Sequence, residues 1–186
     1  MLRLGAPSDA FLRRALEHAR GAEFSYPEVG ATRTAGLPDG YRADQYERSL
    51  GSADGRFERV VAALRHWEGH TGAGVRVFPG GSTVEVGGTV LFVVRTLGLW
   101  AVMPCRVVYV VESASWFSFA YGTLPGHVER GEVAMSVERG HGGEVVATIV
   151  SFSRTVSPLA RAASPLARRV QTRFTTGYLE ALERAS

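Results

Sequence analysis

The feature that most constrains this chain is a regular alternation of apolar segments and turn signals from Gly72 to Ser153. Segments rich in Val, Phe, Tyr and Trp occur at Val75–Phe78, Val84–Val86, Val90–Thr96, Trp100–Val111, Trp116–Tyr121, Gly131–Val137 and Val145–Ser153. β-branched and aromatic residues suit a pleated, half-buried surface. The gaps carry Pro79-Gly80-Gly81, Gly87-Gly88, Leu97-Gly98, Glu112-Ser113, Pro125-Gly126 and Gly140-His141-Gly142-Gly143. Each gap is short and turn-like, so consecutive segments pair antiparallel. The expectation is one curved antiparallel sheet of six to seven strands.

Helical patterns flank this run. Ser8 is a good N-cap with Asp9 in the first turn, and Phe11, Leu12, Ala15, Leu16 and Ala19 form an apolar stripe that stops near Gly21. A second helix over residues 54–68 carries Phe57, Val60, Val61, Leu64 and Trp67 and ends near Gly69. Between them, Ala22–Ala53 shows no periodicity. Its tyrosines and Phe24 call for burial, so it reads as an ordered surface arm with a Pro38-Asp39-Gly40 turn. The C-terminal region 157–184 returns to helix. SPLAR occurs at Ser157–Arg161 and Ser164–Arg168, each placing Pro at a first helical position, and the long helix is expected to start at the second copy. Leu166, Val170, Phe174, Tyr178 and Leu182 then recur every four residues, a stripe suited to the concave face of the sheet. The whole chain, 1–186, reads as a single α+β domain: N-terminal helix and arm 1–53, helix 54–68, sheet 72–154 and the closing helix.

Composition excludes some functions. Apolar residues make up 45% and charged residues 21%, the balance of a globular protein. The basic residues are all arginine, scattered from Arg3 to Arg184, and the net charge is only +3, which gives a nucleic acid no concentrated basic face. Cys105 is the single cysteine and cannot form an internal disulfide. The start of the chain lacks an apolar run of signal-peptide length, so cytoplasm is the expected location. Thr89–Val111 is long and apolar enough to suggest a membrane span, but Arg95, Arg106 and Pro104 interrupt it. Two buried strands joined near Leu97-Gly98 account for it better, and no membrane span is expected.

Several stretches together resemble a known family. They are YPEVGATR at 26–33, LPDGY at 37–41, the run Leu50–Phe57 ahead of ALRHW, PCRVVYVVE at 104–112, FAYGTLPGHVERGE at 119–132, SFSR at 151–154, and Gln171 with Tyr178-Leu179 downstream. This pattern is similar to the family of domain of unknown function nineteen-ninety, found in bacteria and plants. The resemblance implies membership of the START and birch-pollen-allergen-like superfamily and its helix-grip fold. It brings no activity and no catalytic residues.

Candidate sites follow from residue types and strand parity. Leu124-Pro125-Gly126-His127 fits a type II turn, with Pro presetting φ and Gly supplying positive φ. His127 and Tyr121 are the candidate catalytic residues, either in an acid/base role or as polar dressing on a hairpin. Alternation puts Phe117, Phe119, Tyr121, Val133 and Met135 on the inward face, and turns Glu132 away from it unless a bulge intervenes. Arg106 sits within an apolar strand, so it either snorkels outward or, facing inward, anchors an acidic head group. His66 and His70 are four apart, but the segment reads HWEGH rather than a zinc motif, so they read as surface histidines and no metal is expected. No cofactor motif is present. Cys105 reads as a small buried hydrophobe.

The reading is a domain that binds an apolar or amphipathic small molecule between sheet and C-terminal helix. Its expected pocket residues are Arg106, Tyr109, Phe117, Phe119, Tyr121, Met135, Gln171, Phe174 and Tyr178. Two alternatives stand beside it. One is an enzyme of cyclase, dehydratase or hydrolase type using His127 and Tyr121. The other is an interaction module with a filled core, docking through the arm or a sheet edge. The sequence does not set the oligomeric state.

Overall fold

The computed structural model describes residues 1–34, 36–96, 98–155 and 164–185, and on the last segment the side chains from Phe174 onward. The first SPLAR copy lies outside the described residues. In chain order the elements are β1 (Leu2–Arg3), α1 (Asp9–Arg20), a 3-10 turn (Ala31–Arg33), β2 (Arg42–Gly51), α2 (Arg56–Arg65) and α3 (Glu68–Gly72). There follow β3 (Arg76–Phe78), β4 (Thr89–Thr96), β5 (Leu99–Glu112), β6 (Trp116–Thr123), β7 (Glu129–Arg139), β8 (Val145–Thr155) and α4 (Ser164–Ala185).

The sheet has eight strands, in the order β2-β8-β7-β6-β5-β4-β3, with β1 added beside β5. All pairings are antiparallel. β3 to β8 form the expected meander, and β2 and β3 occupy opposite edges. The two helices between them, α2 and α3, pack against α4 over one face of the sheet. That inner face carries the main core, centred on Trp67, Phe92, Phe117, Phe119, Met135, Ile149, Tyr178 and Leu182. On the opposite face, α1 sets Leu12 and Leu16 against Leu91, Val93 and Val102. β4 is therefore covered on both sides, which explains its continuous apolar run. Among the described residues, no helix is long and apolar enough to cross a membrane.

Three expectations need correction. The sheet gains β2 from within the supposed irregular arm, together with the short β1, so it exceeds six to seven strands. β2 reads RADQYERSLG; as an edge strand it keeps alternate residues exposed and carries charges along most of its length, so it lacks an apolar signal. Val84–Val86 is not a strand. Val84 is buried, but its N–H donates to the Arg65 carbonyl at 2.9 Å, within a loop. The helix at 54–68 is two helices, α2 and α3, because Trp67 adopts a left-handed conformation (φ 60°) between them.

Gly69 does not end that segment; it lies inside α3 at the contact with α4. A Cβ there would fall 2.3 Å from the Tyr178 ring, and one on Gly72 would fall 2.4 Å from Ala181 Cβ. These glycines let α3 and α4 approach closely, which fixes Tyr178 over the sheet. Within this core Phe119 is fully buried and meets Trp67 edge-on at 5.4 Å. Phe119→Ala should lower the unfolding free energy by about 3–5 kcal/mol, measured by urea titration.

Candidate ligand site

Between the inner face and the α3–α4 pair lies a pocket of about 400 Å3. Phe92, Val94, Met103, Tyr121, Met135 and Ile149 line it from the sheet, His70 from α3 and Ala73 just after it, and Phe174 and Tyr178 from α4. His127 and Val128 line it from the turn after β6, and Glu129 from the start of β7. Of the expected pocket residues, the structure brings together Tyr121, Met135, Phe174 and Tyr178. Phe117 and Phe119 face the same way but are fully buried in the core beside the pocket. The Gln171 side chain lies outside the described residues.

His70 is the residue that sequence reasoning missed. His66 is exposed, but His70 is buried, and its ring stacks on Phe92 at 4.6 Å with an interplanar angle of 16°. Trp67 and Tyr178 meet it edge-on, each at 5.1 Å. Its Nε2 lies 3.2 Å from the Tyr121 hydroxyl. Burial pushes the His70 imidazole down to about 3 and the Tyr121 phenol upward, so both are neutral. The left-handed Trp67 turns His70 toward the sheet, and that conformation has no simple sequence signal.

The turn carrying His127 is as expected: the His127 N–H donates to the Leu124 carbonyl at 3.1 Å, and Gly126 has φ 94°. His127 Nδ1 lies 3.0 Å from both the N–H and the carbonyl of Glu129. It accepts from the former when unprotonated and donates to the latter when protonated. Burial, above a smaller opposing effect of that carbonyl, pushes the imidazole down to about 4. Burial likewise raises the Glu129 carboxyl, against the weaker pull of Arg42. The hydrogen-bond partner of Tyr121 is His70, not His127.

Two candidates belong to the opposite face. Arg106 donates from Nη2 to the carbonyls of Ala19 and Arg20, at 2.9 and 3.0 Å, and from Nε to Thr89 Oγ1 at 3.2 Å. It caps the C-terminus of α1, where a cation complements the free carbonyls. Tyr109 is displaced by a β-bulge between Val107 and Tyr109, which breaks the simple alternation along β5. It packs with Ala120 and Ala134, and its hydroxyl meets Thr32 Oγ1 at 3.0 Å.

Glu132 also points away from the core, as parity required, and it is only 1% exposed. Its carboxylate accepts from Tyr26 Oη at 2.7 Å, from the Gly30 and Thr32 N–H groups at 2.7 and 3.0 Å, and from Thr32 Oγ1. Gly122 makes this possible, since a Cβ there would lie 2.1 Å from the Tyr26 hydroxyl. The stretches YPEVGATR and FAYGTLPGHVERGE thus meet at one buried carboxylate.

An antiparallel sheet holding a C-terminal helix on one face is the helix-grip arrangement in its general form. Residues 25–181 match the family described as Domain of unknown function (DUF1990), and the chain belongs to that family. A UPF0548 protein of Deinococcus radiodurans is 34% identical over 187 residues, covering 95% of this chain and 92% of its own. Among solved structures, a hypothetical protein from Helicobacter pylori shares the fold with a TM-score of 0.58 at 13% identity, covering 88% of this chain and 96% of that one. A Thermus thermophilus protein does so with a TM-score of 0.53 at 14% identity, over 77% of this chain and 96% of that one.

Glu132→Gln turns amide hydrogens toward groups that are themselves donors. It should cost about 2–4 kcal/mol in urea unfolding and speed hydrogen exchange at the Gly30 and Thr32 amides. The buried His70 gives a pH signature. An unfolded histidine protonates near 6.5, whereas the folded site resists protonation down to about 3. As pH falls below 6.5 the unfolded chain binds more protons, so stability is lost, and above 6.5 this contribution is complete. The loss should approach about 1.4 kcal/mol per pH unit from this group, and His70→Phe should flatten the pH dependence by that amount.

Proposed function

We propose that the pocket binds an apolar or amphipathic small molecule. One observation carries this reading: the helices α3 and α4 leave about 400 Å3 unfilled against the inner face of the sheet. Small-molecule sites usually measure about 300–1,000 Å3 and combine an apolar lining with a few placed polar groups. Here Phe92, Met103, Met135 and Phe174 supply the apolar surface, and His70, Tyr121 and His127 supply polar atoms. The general helix-grip arrangement agrees with such a role.

Diphenylhexatriene, which fluoresces only in apolar surroundings, is a direct probe. The protein should bind it saturably, one per chain. Val133 is half-buried and lines the pocket, so Val133→Trp should fill the space and weaken that binding at least about tenfold while the chain remains folded. Native mass spectrometry of protein taken from cell extract should show a bound small molecule on the native chain. A fluorescence titration without saturation would defeat the reading.

A further inference from the structure

The hydrogen-bond balance of the His70–Tyr121 pair indicates what the pocket accepts. The Tyr121 hydroxyl has one described hydrogen bond, to His70 Nε2, and His70 Nδ1 is buried without a partner. A neutral imidazole carries one N–H. If Tyr121 donates to Nε2, that N–H sits on Nδ1 as an orphaned donor sealed from water. If Nε2–H donates to Tyr121 Oη instead, Nδ1 keeps only a bare lone pair, and the phenolic proton is free to point into the pocket that Tyr121 lines. Buried orphaned N–H groups are rarer in proteins than under-satisfied acceptors, so the second arrangement is the stable one. It is complete only when the pocket supplies an acceptor.

Charge narrows the choice further. Among the described lining residues there is no arginine or lysine, and Glu129 is among them. Arg106, which could have received an acid, is occupied at the end of α1. An anion entering here would lose its hydration without gaining a cation from the described lining.

Building on the proposed pocket, we infer that its occupant is an uncharged, largely apolar molecule with a carbonyl-type oxygen, which accepts the Tyr121 O–H. His70 is a positioning residue that holds the hydroxyl in its donating orientation.

Three probes test this: the hydrocarbon diphenylhexatriene, the ketone propionyl-dimethylaminonaphthalene, whose emission moves to the blue when its carbonyl loses a hydrogen bond, and the anion anilinonaphthalene sulfonate. The ketone should bind and the anion should bind more weakly. Tyr121→Phe keeps the ring and should weaken ketone binding about five- to tenfold, with a blue shift, and leave diphenylhexatriene unchanged. His70→Phe should produce the same blue shift, which mere packing would not. If diphenylhexatriene binds but Tyr121→Phe leaves ketone affinity and emission unaltered, or if the anion binds tightest, the carbonyl assignment is wrong while the pocket stands. If diphenylhexatriene itself fails to bind, the pocket reading fails and this inference with it.

Discussion

The structure depends on one buried carboxylate. Removing a carboxylate from water costs several kcal/mol unless its oxygens are fully hydrogen-bonded. Glu132 sits on β7 with almost no exposure, and the residues directly opposite it, Gly122 on β6 and Phe152 on β8, are not cations. The donors come instead from the arm, through Tyr26, Gly30 and Thr32. That requirement accounts for an otherwise puzzling segment: about ten residues without regular structure stay ordered because they solvate a charge. Tyr26 is anchored further by edge contacts to Phe24 and Phe152, and Arg33 lies over the Tyr109 ring.

With the arm and α1 spread over the outer face, the inner face is left to α2, α3 and α4. The filling there is uneven. Toward the Trp116 end of β6, Phe117 and Phe119 pack tightly beneath α2 and Trp67. Toward the Thr123 end, the same strand presents Tyr121 and Thr123 to open space. The close approach of α3 to α4 at Gly69 and Gly72 holds Tyr178 and His70 at the boundary between the two regions. The pocket is thus the part of the helix–sheet interface that the aromatic cluster does not reach.

Much of the architecture was legible because it obeys two periodicities. The meander β3–β8 follows from period-two segments and turn residues, and α1 and α4 from their caps and stripes. What escaped notice departed from periodicity. β2 is a charged edge strand whose identity comes from its pairing with β8, not from its own residues. The bulge at Val107–Tyr109 moved Tyr109 to the outer face, an event no alternation rule contains. Trp67 in a left-handed conformation split one expected helix and carried His70 from the expected surface into the core. Parity did succeed where β7 is regular, turning Glu132 away from the pocket.

The most distinctive motifs and the pocket chemistry therefore occupy different faces. YPEVGATR and the end of FAYGTLPGHVERGE meet on the outer side, where Tyr26, Thr32 and Glu132 secure the arm. Of the second motif, Phe119, Tyr121, Thr123, His127, Val128, Glu129 and Gly131 approach the inner side, and Tyr121 among them pairs with the buried His70 imidazole. A sequence pattern that identifies the fold through its outer latch says little about the inner pocket. In the proposed binding role, specificity falls instead to residues that look ordinary in sequence, such as His70, Met103, Met135 and Phe174. In the proposed pocket, where the lining is largely apolar, a neutral donor has more influence than it would in water, because a low local dielectric strengthens its hydrogen bond.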